Sequence, residues 1–223
     1  MKQLLLDIRL DAPPRLDNFI AHSNRPAVDA VAKAARQPGF HIYLWGTPGT
    51  GKTHLLRAAA DAAEGSARPH RYLSPAELED FSAPAGALVA VDDVEKLSEA
   101  GQIALFNAFN RSGPADHTLI VAGTAPPLAL RLREDLRTRI GQCLIFHLQP
   151  LDDVARAAII ASQATHRGLR LEESVVTYLL RYGRRDLPSL LAVLDALDAA
   201  SLEHKRPITL PLLRQIMQAG LEI

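Results

Sequence analysis

Apolar residues along this chain fall into two alternating patterns. "HIYLW" (His41 to Trp45), "HRYL" (His70 to Leu73), "ALVAVDD" (Ala87 to Asp93), "TLIVAG" (Thr118 to Gly123) and "LIFHL" (Leu144 to Leu148) are short, continuous apolar runs. Runs of this kind suit strands buried on both faces of a parallel sheet. Between them the apolar spacing becomes helical, as in Lys52 to Ala63. "SPAELEDF" reads as a helix start, with Ser74 as N-cap, Pro75 in the first turn and Glu77 closing a capping box. Alternation of strand and helix predicts an α/β domain built on a doubly wound, parallel, five-stranded sheet.

Past "LQPL" (Leu148 to Leu151) the strand pattern stops. "DDVARAAIIASQATHRG", "EESVVTYLLRYG", "DLPSLLAVLDALDAASLEHK" and "TLPLLRQIMQAG" predict four helices, with Gly168 and Gly183 as C-cap glycines. The expected division is a short N-terminal peptide over 1–12, an α/β core over 13–150 and an all-α domain over 151–223.

Composition narrows the function classes. The 25 basic residues balance the 25 acidic ones, so no bulk field draws the protein onto nucleic acid or an anionic membrane. The helical segment carries nine residues of each sign and no basic stripe for phosphates. The N-terminus lacks the features of a secretory signal, and no apolar run approaches the roughly 20 residues that span a bilayer. With a single cysteine, Cys143, a cytoplasmic location is expected.

The chemistry centres on "GTPGTGKT", residues Gly46, Thr47, Pro48, Gly49, Thr50, Gly51, Lys52 and Thr53. It fits G-x-x-x-x-G-K-[ST] in full, between a strand and a helix. Glycines let backbone N–H groups turn inward around phosphates, and the helix N-terminus adds positive potential. Lys52 can reach the β/γ-phosphates and the Thr53 hydroxyl can ligate Mg²⁺. "LVAVDD" supplies the second half. Asp92 stands at the carboxyl edge of its strand, where it can hold Mg²⁺, and Asp93 could orient an attacking water.

The order "LDNFIAHSNRPA", "GTPGTGKTHL", "VAVDDVEKL", "NAFNR", "VAGTAPP", "LRTRI" and "RRDL" resembles the AAA+ ATPases of the DnaA clade, from about Leu16 onward. Within the clade the chain is similar to the short regulatory homologues of DnaA. The resemblance implies an AAA+ core with a helical lid and an adenine nucleotide, ADP or ATP. The segment containing Asn18, Phe19 and Ile20 would cover adenine, with His54 beside the phosphate loop. It implies Thr124 as sensor 1, Arg139 as an arginine finger offered to a neighbouring subunit, and Arg185 as sensor 2, with Arg184 as the alternative. The sequence stops at Ile223 without a helix-turn-helix reader, so sequence-specific DNA binding is not expected.

"QLLLDI" lies ahead of this core. It resembles the linear motif by which bacterial proteins dock on the sliding clamp, with Gln3, Leu4, Leu6 and Ile8 as anchors. Asp7 departs from the proline or small residue more usual there. The other reading is an edge strand of the domain's own sheet. Together the resemblances imply a negative regulator of replication initiation. With the DNA-loaded clamp it would stimulate ATP hydrolysis by DnaA, leaving inactive ADP-DnaA. Two alternatives stay open: a DnaA-like helicase loader, and a free-standing ATPase whose own copies, as a homo-oligomer, supply Arg139.

Overall fold

The structure, a computed structural model, describes residues 13–78, 85–111, 117–184, 187–204 and 207–218. The chain divides into two compact units, one over Pro14–Pro150 and the other including everything from Leu151 onward.

In the first unit, strands β1 (Ile42–Trp45), β2 (His70–Leu73), β3 (Ala87–Val91), β4 (His117–Gly123) and β5 (Leu144–His147) form one sheet in the order β2-β3-β4-β1-β5. Every pairing is parallel. The register places Ile42 between Ile120 and Leu144, and Trp45 between Gly123 and His147. This is an α/β fold with a doubly wound parallel sheet.

Strand alternation sorts the side chains into two cores. Ile42, Leu44, Leu88, Ala90, Ile120 and Ala122 face helices α1 (Arg25–Arg36) and α2 (Lys52–Glu64). Tyr43, Val89, Val91, Leu119 and Val121 face α3 (Glu99–Arg111) and α4 (Glu134–Gly141). The sequence predicts five buried strands, and the structure corrects this for two. β2 and β5 are the sheet's edges, and Leu144 and Ile145 on β5 are 49% and 42% exposed. An edge strand has one neighbour fewer to cover it, which an apolar run does not reveal.

The capping box at Ser74 and Glu77 is present, but the described part is one 3₁₀ turn, Pro75–Glu77. Residues 79–84, the rest of the expected helix, lie outside the described residues.

Arg68 ties the unit together behind the sheet. Its guanidinium donates to the carbonyls of Ala34 at the end of α1, Gly86 and Ala87 at the start of β3, and to Thr118 Oγ1 on β4. Burial pushes its pKa down, yet five acceptors, the Ala35 carbonyl among them, hold it in place. Arg68→Ala is expected to cost about 2–4 kcal/mol in denaturant unfolding, since it strands several carbonyls at once. A loss below about 1 kcal/mol would show that water replaces the guanidinium.

The second unit packs helices α5 (Asp153–His166), α6 (Glu173–Tyr182), α7 (Leu187–His204) and α8 (Leu210–Gln218) around Ile160, Val175, Leu179, Val193, Leu197 and Leu213. Asp152 caps α5, its carboxylate accepting from Ala155 N at 2.7 Å. Gly168 has a left-handed φ of +71°, as expected of a C-cap glycine. Gly183 does not. Its backbone is extended, and a Cβ there would lie 2.6 Å from Leu179 O, so close approach is what calls for glycine. Among the described residues no helix is long and apolar enough to cross a membrane.

Candidate nucleotide-binding site

The phosphate loop joins β1 to α2 at the carboxyl end of the sheet. Thr50 donates from Oγ1 to Thr47 O at 2.9 Å, closing a turn around Pro48 and Gly49. Gly51 has φ +92°, and a Cβ on it would meet the Phe19 ring at 2.6 Å. Both the backbone angle and the ring above it require glycine. Gly46 N donates to Gly123 O at 3.3 Å, so the loop's first residue is fixed to the end of β4.

Lys52 is buried, and its Nζ donates to Gly46 O at 2.8 Å and Thr47 O at 3.1 Å. The ammonium therefore lies inside the hollow of the loop, held by the loop's own carbonyls. Burial lowers its pKa, while the carboxylates of Asp92, Glu95 and Asp93 oppose that shift, in descending order of strength.

Asp92 is only 4% exposed at the end of β3. Its Oδ2 accepts from Thr53 Oγ1 at 2.6 Å and from the Tyr72 hydroxyl at 2.9 Å, and its Oδ1 accepts from Asp93 N at 3.0 Å. Burial, followed by the bond to Asp92, raises the Tyr72 pKa, and Arg57 lies 5.0 Å over its ring. Asp93 has a left-handed backbone, φ +46°, and its carboxylate is paired with Lys96 Nζ at 2.7 Å.

The segment ahead of α1 reaches the same loop. Asn18 Oδ1 accepts from Arg15 N at 2.9 Å, and His54 Nε2 donates to Arg15 O at 3.0 Å. Phe19 and His54 are tilted ring neighbours 5.4 Å apart, and desolvation lowers the His54 pKa. Asn18 and Phe19 are thereby gathered at the start of α2, and Ile20 follows them, half-buried. Thr124 is exposed directly after Gly123.

Arg139 sits in the last turn of α4, partly exposed, donating to Gln142 Oε1 at 3.3 Å. Arg184 is exposed in the second unit. Arg185, Gln3, Leu4, Leu6 and Ile8 lie outside the described residues. Sequence reasoning missed Tyr72 and Glu95. Tyr72 pairs in register with Ala90, two residues before Asp92, and that register is not written in either strand alone.

Residues 153–217 match the family described as "Hda, lid domain", and residues 10–85 match the bacterial DnaA ATPase domain. An uncharacterized protein of Haemophilus influenzae is 31% identical over 231 residues, covering 97% of this chain and 98% of its own length. The chain belongs to the Hda-type homologues of DnaA. Among solved structures, AMPPCP-bound DnaA from Aquifex aeolicus matches this Hda-type chain with 25% identity and a TM-score of 0.72, over 87% of it and 68% of that chain. Domain III of the Thermotoga maritima initiation protein DnaA reaches a TM-score of 0.82 over 96% and 99% of the two chains. At 18% identity, that match speaks for the Hda-type fold alone.

Proposed function

We propose that this Hda-type chain is a DnaA-related regulator of replication that acts on the ATP-bound initiator while tethered to the DNA-loaded sliding clamp. In this reading it stimulates hydrolysis of DnaA's ATP in trans and is not itself the main consumer of ATP. The observation that carries it is Arg139. Among the described residues its guanidinium bonds to Gln142 Oε1 and pairs with no acid, which leaves it available to a neighbouring nucleotide.

The loop would hold ADP or ATP, with Lys52 and the backbone around Gly46–Thr53 on the phosphates, and Asn18, Phe19 and Ile20 beside the base. Thr124 and Arg185 are proposed as the two sensors. Thr53 and Asp92 fit Mg²⁺, since a hydroxyl and a carboxylate already in contact are hard oxygen donors. Mg²⁺ needs only one or two such ligands besides phosphate and water, and it supplies charge neutralisation at the phosphates.

The test is a reconstitution of ATP-DnaA, clamp on DNA, and this protein, followed by phosphate release. The decisive variant is Leu4→Ala with Leu6→Ala. Two leucines buried in a clamp groove contribute about 2–3 kcal/mol each. Losing even half of that total weakens clamp affinity roughly a hundredfold, and stimulation should fall with it. ADP affinity and melting temperature should hold. A drop in melting temperature with unchanged clamp binding would instead return the segment to the chain's own sheet.

A further inference from the structure

One carboxylate oxygen at the candidate nucleotide site has no partner among the described residues. Glu95 Oε2 is buried from solvent, and no hydrogen bond from a described residue reaches it. Unsatisfied buried acceptors are scarce in folded proteins, and each calls for a physical reason. Glu95 lies in the 3₁₀ turn Val94–Lys96, which follows directly on Asp92 and Asp93.

Its surroundings place it at the working end of the sheet. A Cβ on Gly123 would come within 3.1 Å of Glu95 Oε2 and 2.5 Å of the Tyr43 hydroxyl. Gly123 is the residue whose carbonyl holds Gly46, and it directly precedes Thr124. The orphan oxygen thus lies in the turn after β3 against the end of β4, whose last residue in turn holds the first residue of the phosphate loop. Tyr43 cannot satisfy it, because its hydroxyl proton is committed to Ala125 O at 2.6 Å.

The two nearby acids are already engaged. Asp92 accepts three hydrogen bonds, and Asp93 is paired with Lys96. We propose that Glu95 is the carboxylate that holds the attacking water at this chain's own nucleotide, the place the sequence pattern assigns to Asp93. The proposal rests on the reading of the loop as a nucleotide site. The stronger pull of Glu95 than of Asp93 on Lys52 agrees with it. In the reaction, the water oxygen bonds to the γ-phosphorus as the bond from that phosphorus to the β–γ bridging oxygen breaks. The bond's electron pair stays on the departing diphosphate. Glu95 accepts the hydrogen bond of the water, and a water proton passes to the carboxylate or to the released phosphate.

The experiment compares wild type, Glu95→Gln and Asp93→Asn in the full chain, at concentrations where a second copy can supply Arg139. Three quantities are measured: ADP affinity by calorimetry, capture of ADP with aluminium fluoride as a mimic of the in-line transition state, and single-turnover hydrolysis of ATP. Melting temperature accompanies each variant. Glu95→Gln should keep ADP affinity and hold or raise the melting temperature, because it removes a buried carboxylate oxygen that lacks a donor. It should lose the aluminium fluoride complex and slow hydrolysis by about a hundredfold or more. Asp93→Asn should cost less. Capture by Glu95→Gln equal to wild type, or a larger loss from Asp93→Asn, overturns the assignment. So does a lower melting temperature with capture intact, which is the mark of a structural role. Wild type that binds ADP yet captures no fluoride complex also overturns it and leaves the nucleotide site standing. Wild type that binds no ADP sinks the site itself.

Discussion

Arg139→Ala is expected to reduce stimulation of DnaA's ATP hydrolysis by about a thousandfold or more while leaving this protein folded and ADP-competent. Arginines that complete a neighbour's phosphoryl-transfer site contribute roughly 10³–10⁵ in rate. They neutralise charge that develops only as the γ-phosphoryl departs, so the loss falls on turnover and not on complex formation. The local structure makes the variant a clean test. Leu136 and Ile140 on the same helix are fully buried and anchor α4 to the core, while Arg139 projects from it partly exposed. Among the described residues its side chain's one hydrogen bond, to Gln142, is long and solvent-facing. Alanine is the strongest helix former, so α4 should persist. Phosphate release from ATP-DnaA in the presence of the clamp is the measurement. Full stimulation by Arg139→Ala, or a fall in affinity for the protein's own ADP, would move Arg139 out of the trans role.

The sheet and the phosphate loop were legible because their signals are local. Continuous apolar runs mark the strands, and glycines, lysine and threonine at fixed spacing mark the loop. Which strands are edges was not legible, since edge position is a property of the strand order and not of any one run. β5 is as apolar as β1, yet Leu144 and Ile145 remain exposed. The same limit hid Tyr72, which reaches Asp92 only through the β2–β3 register. Glu95 was hidden differently. In "VAVDDVEKL" it looks like a solvated acid on a turn, and only the fold brings it against Gly123 and leaves its oxygen without a donor. Gly183 was recognised as a helix-ending glycine, but the reason is contact with Leu179 O and not a left-handed backbone.

Lys52→Ala is expected to lower affinity for ADP by about a hundredfold to a thousandfold. The ammonium is buried in the loop's hollow and bonded to the carbonyls of Gly46 and Thr47, so it is already positioned where phosphate oxygens would arrive. Hydrogen bonds to charged groups contribute about 1.5–3 kcal/mol each, so two to phosphate oxygens, taken toward the lower end, amount to about 3–4 kcal/mol. That converts to the stated range. The surrounding charge makes the loss harder to offset. Asp92, Glu95 and Asp93 all act on Lys52, and without it their field is turned on the incoming phosphates unrelieved. Asp93 has a basic partner of its own in Lys96, which is exposed and committed to that pair. Lys52→Arg should recover little, because a planar fork does not fit a hollow shaped around a compact ammonium. Calorimetric titration with ADP reads the effect directly. Affinity within a few-fold of wild type in Lys52→Ala would mean that the loop binds its ligand through backbone N–H groups alone, and the assignment of Lys52 to the phosphates would fall.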